Sequence, residues 1–113
     1  MTEYPQEIGR LWSVVEILTT GNRKLQDRVV DAYHCMAVQV GIRDHMPESF
    51  KPRFHALSEE FVDEGKKVLA SYYHVHNDPV QAARGMHYKR AQYFAKAIFE
   101  LCRDTIEGAY EEP

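Results

Sequence analysis

Apolar residues recur at intervals of three and four along most of this chain. The recurrence is interrupted at Gly21-Asn22, within the segment Ile42 to Pro52, and at Asn77-Asp78-Pro79. Threes and fours are the period of an α-helix with one buried face, and no bounded run alternates with the period of a strand. Glycine ends a helix readily, Asn and Asp begin one, and Pro belongs in its first turn. The spacing therefore predicts helices over about 5–20, 23–40, 52–76 and 79–108, with a linker over 41–51. The first carries the stripe Ile8, Leu11, Trp12, Val15 and Leu18. The second carries Leu25, Val29, Ala32, Met36 and Val40, with Tyr33 on its flank. The third carries Phe54, Leu57, Phe61, Val68, Leu69 and Tyr72, with Gly65 on the same face. The last, roughly 45 Å long at about 1.5 Å per residue, carries Val80, Ala83, His87, Ala91, Phe94, Ile98, Leu101 and Thr105.

At 113 residues the chain is the size of one domain, 1–113, and 44% of it is hydrophobic, enough for a core. The expected fold is all-α: an antiparallel four-helix bundle with a long C-terminal helix, or a three-helix core with the first helix packed across it. Gly65 costs about 1 kcal/mol relative to Ala inside a helix. Either the site tolerates that cost or a close neighbour requires the small residue.

The fourth helix holds more apolar surface than one packed face uses. A second stripe of Tyr88, Ala95, Phe99, Cys102 and Ile106 lies beside the first, and together they span roughly 160°, where about 100° suffices for a surface helix. Either this helix is central in the fold, or its outer edge packs on a second subunit. For so small a chain a homodimer is the expected solution, with Tyr88, Phe99, Cys102 and Ile106 as interface candidates.

Formal charge is −3, which disfavours a non-specific nucleic-acid coat protein. The start, Met1-Thr2-Glu3-Tyr4-Pro5-Gln6-Glu7, has no basic n-region and no apolar h-region, so no secretory signal is expected, and no apolar run reaches the length of a bilayer span. Cys35 and Cys102 cannot build a disulfide framework or a thiolate zinc site, which points to reduced thiols in the cytoplasm. Of the histidines, His74 and His76 differ by roughly 200° around a helix. His76 and His87 fall about 10 Å out of register across the turn at Asp78. No Glu-x-x-His occurs, and Asp31-x-x-His34 falls on a polar face. No metal site and no cofactor is expected. There is no Gly-rich phosphate loop and no hydrolase elbow.

Two stretches offer other chemistry. Arg28-Val29-Val30-Asp31-Ala32-Tyr33-His34 resembles the Arg-x(4–6)-His signature of the HEPN family of small helical-bundle ribonucleases. The resemblance covers those seven residues and implies that Arg28 and His34 lie near a dimer cleft and act on an RNA phosphodiester. Arg84 to Lys96 reads RGMHYKRAQYFAK, with Arg84, Lys89, Arg90, Tyr93 and Lys96 and no acidic residue. Basic residues around an aromatic ring suit a nucleic-acid strand or an anionic partner. The opposing expectation is internal neutralisation. A turn centred on Asp78 sets Lys96 opposite Glu60 and Gln92 opposite Glu64, beside the acidic run Glu59, Glu60, Asp63 and Glu64. Lys96, Glu100, Arg103 and Glu107 then alternate along a solvated face.

Weighing these, the sequence predicts a cytoplasmic helical protein with no enzymatic site. It acts through contacts with an unidentified protein, as adaptor, inhibitor or accessory subunit, and forms a homodimer. Tyr73 and Tyr93 are candidate contact anchors. The alternative is an RNA-acting module, either a HEPN-like ribonuclease or a nucleic-acid binder through the fourth helix.

Overall fold

The computed structural model describes the backbone of residues 5–39, 48–71 and 78–111 and the side chains of residues 9–38, 48–70 and 78–108. Met46, His45, Tyr72, Tyr73, His74, His76 and most of the expected linker lie outside the described side chains. Among the described residues every regular element is helical and no strand occurs. The helices are α1 (Pro5–Thr19), α2 (Leu25–Gln39), α3 (Phe50–Ser71), a short α4 (Pro79–Ala82) and α5 (Tyr88–Glu111), with a single 3₁₀ turn over Ala83–Gly85.

α1 begins at Pro5 and closes on two threonines. The Thr19 and Thr20 hydroxyls donate to the carbonyls of Val15 and Glu16, at 2.8 and 2.6 Å. Gly21 then turns the chain at φ +100°, a conformation that side chains rarely adopt. α1 buries Leu11, Val14 and Leu18. Trp12, expected on the buried stripe, is instead 54% exposed. The wheel admits two overlapping faces here, and α1 packs on α2 and α5 through the one centred on Leu11 and Leu18.

α2 starts at Leu25, two residues later than the spacing suggested. Arg28 closes the α1–α2 corner, its guanidinium donating to the carbonyls of Leu18 and Arg23, each at 3.0 Å. A buried helix end leaves carbonyls without partners, and Arg28 supplies donors to them. α3 starts at Phe50, two residues earlier than expected, because Phe50 is itself core and Pro52 is tolerated in a first turn. Its buried residues, Phe50, Phe54, Leu57, Phe61 and Val68, keep the helical spacing.

The expected fourth helix is broken. Asp78 caps α4 by accepting from the Val80 N–H at 2.9 Å, with Pro79 in the first turn. After Gly85 the chain goes extended at Met86, whose side chain is buried. α5 then begins under a new cap, the His87 Nδ1 accepting from the Lys89 N–H at 3.2 Å. His87 is consequently exposed rather than on the core stripe. The break also resets the register against α3. Arg90, not Gln92, meets Glu64, and Tyr93, not Lys96, meets Glu60.

α5 is central, packing against α1, α2 and α3. Between α2 and α3 no Cα pair approaches within 8 Å among the described residues. Tyr33 spans that gap, its ring stacked 4.2 Å from Phe61 and 6.2 Å from Phe54, while Phe61 meets Phe94 edge-on at 5.1 Å. Phe61 and Phe94 are wholly buried, and each contributes about 2–3 kcal/mol through the apolar area it removes from water. Gly65 sits where α3 crosses the start of α4. A Cβ there would lie 1.9 Å from the Pro79 carbonyl oxygen, so the crossing requires glycine.

Candidate functional site

The basic stretch is largely consumed inside the fold. The Arg84 guanidinium binds Asp31 at 2.8 Å, Asp27 at 3.1 Å and Gln81 at 2.9 Å, tying the 3₁₀ turn to α2. Arg23 pairs with the same two aspartates. Burial alone would lower the Arg84 pKa, but the hydrogen bonds to Asp31 and Asp27 outweigh it, so the pKa is raised and the charge is held. Arg90 donates to Glu64 at 2.8 Å and lies over the Tyr93 and Phe94 rings at 4.6 and 5.0 Å. Tyr93 donates its hydroxyl to Glu60 at 2.5 Å, a bond that raises the phenol's pKa. Lys96 is 81% exposed and reaches Glu100 of its own helix at 4.0 Å, and Lys89 is exposed. Arg84 and Arg90 therefore face carboxylates of this chain, and the five residues present no continuous basic surface.

Arg28 and His34 are not joined by a hydrogen bond among the described residues. Arg28 is committed to the two carbonyls at the α1–α2 corner, while His34 stands exposed on α2. No group of three or more His, Cys, Asp or Glu with the geometry of a metal site occurs among the described residues. No described helix is long and apolar enough to cross a membrane.

The four interface candidates divide into two pairs. Tyr88 and Phe99 are exposed, whereas Cys102 is 0% and Ile106 5% exposed. Cys102 and Ile106 belong to the core, because α5 is central and its second stripe is covered from within the chain. Burial, with a smaller contribution from the Cys35 thiol on α2, pushes the Cys102 thiol up to about 12. Burial also raises Cys35.

What remains uncovered is a groove of about 240 Å³ between α1 and α5, lined by Trp12, Val15, Phe99 and Ile106, with Arg103 and Glu107 along its edge. Its walls are aromatic and aliphatic, and Trp12 and Phe99 stay 54% and 37% exposed. Single exposed apolar residues are ordinary, but two large aromatics flanking one apolar groove form a patch. Arg103 sits 5.9 Å from the Phe99 ring centre and donates to Asp104 at 3.0 and 3.1 Å, while Arg53 of α3 meets Asp104 at 3.0 Å. The Arg103 hydrogen bond holds the Asp104 carboxyl below its usual range; burial opposes it, and Arg53 adds a smaller lowering contribution. A second groove of about 350 Å³ lies on another side of α5, against α3. It is more polar, bounded by Arg53, Glu60, Tyr93 and Glu100. Phe99 and Ile106 fall on the outer stripe that the spacing predicts, whereas Trp12 lies off the core stripe on which the spacing sets it. The signal for Trp12 was its position on the flank of Leu11, Val14 and Leu18.

Comparison with known proteins returns no match: no family model, no curated protein and no solved structure is significantly similar to the chain. The geometry alone has to carry the functional reading.

Proposed function

We propose that this chain is a non-enzymatic, cytoplasmic helical protein that works through protein contacts, as an adaptor, inhibitor or accessory subunit, with a homodimer as its acting unit. One domain suffices for this, an antiparallel four-helix bundle in which α4 and α5 together make the long, interrupted fourth rod. The α1/α5 groove carries the reading, since Trp12 and Phe99 keep apolar area in solvent while Arg84 and Arg90 are paired with carboxylates of this chain. Aromatic residues at such a patch are the usual anchors of a protein interface. The opposing RNA reading needs free cations, and Arg84 and Arg90 are paired within the fold.

Affinity capture from the native host, run with wild type and with Phe99→Glu, tests the proposal. The expected result is a defined protein recovered by wild type and lost with the variant. RNA cleavage that disappears in His34→Ala, or a salt-sensitive mobility shift with labelled RNA, would replace this reading with the RNA-acting one.

A further inference from the structure

We draw no further inference here: the strongest candidate, the polar groove between α3 and α5 bounded by Arg53, Glu60, Tyr93 and Glu100, has each of its charged side chains bonded within the chain, Arg53 with Asp104, Glu60 with Tyr93 and Glu100 with Lys96, and nothing in the structure shows what covers it.

Discussion

Gly65→Ala puts the crossing of α3 and α4 to a quantitative test. In an open helix the change adds stability, about 1 kcal/mol from helix propensity. At Gly65 the new methyl would stand 1.9 Å from the Pro79 oxygen and 2.6 Å from its carbonyl carbon, where real Cβ contacts keep beyond 3.0 Å. α4 must retreat by about 1 Å. The obstacle is backbone, so no side chain can rotate out of the way. α4 is also fixed at one end by the Asp78 cap and at the other by buried Ala82 and Ala83. Overpacking of this kind costs about 1–3 kcal/mol, more when the surroundings are stiff. With the propensity gain set against a cost at the upper end, the net loss is about 2 kcal/mol, or on the order of 8 °C in Tm for a domain of this size. Gly9→Ala is the matched control, since a Cβ at Gly9 meets nothing within 4 Å. It should raise stability by about 0.5–1 kcal/mol. Urea unfolding followed by far-UV circular dichroism reads both. If Gly65→Ala is as stable as wild type while Gly9→Ala gains, the close crossing does not exist.

Three other expectations follow from the same geometry. His87→Ala should cost about 1 kcal/mol by removing the acceptor for the Lys89 N–H, and His87→Asn should recover most of it in thermal melts; no recovery would place His87 elsewhere than at a cap. Arg84→Met should lose about 1 kcal/mol or somewhat more, because Asp27 and Asp31 are left facing each other with only Arg23 between them; an unchanged urea midpoint would show that the cluster is ornamental to stability. Cys102 should resist alkylation at pH 8 in the native protein and react in denaturant, as read by mass spectrometry. Its raised pKa also fixes a sign: the unfolded thiol ionises near pH 9 and the folded one near 12. This contribution to stability is therefore intact below pH 9 and declines toward pH 12. Cys102→Ala should make the alkaline decline shallower.

Much of the helical framework was legible because local rules and burial agree there. Phe54, Leu57 and Phe61 repeat at threes and fours, Gly21 takes a left-handed corner, and Asp78-Pro79 opens a helix as such pairs do. The break after Gly85 was not legible. Ala83, His87 and Ala91 keep helical spacing in the sequence straight across it, so nothing in the period marks the break. The structure shows what decides the matter: Met86 is buried by going extended, and His87 then serves as the next cap. The site was half legible for a related reason. The excess apolar arc on α5 was real, but an arc says nothing about which neighbour covers it. α1 and α2 take up Cys102 and Ile106 and leave Phe99 out, beside a Trp12 displaced from the core by the same packing.

Trp12 is the chain's one tryptophan, and it lies in the groove that carries the functional reading. Its fluorescence is therefore the most direct probe of the claim that the homodimer's contact lies on the α1/α5 face. Emission and acrylamide quenching should be measured from about 1 to about 200 µM protein. If the face is covered on association, emission moves to the blue and quenching falls with rising concentration, and Phe99→Glu abolishes both changes. Emission and quenching that stay constant across the range, at the level of a half-exposed indole, would contradict it.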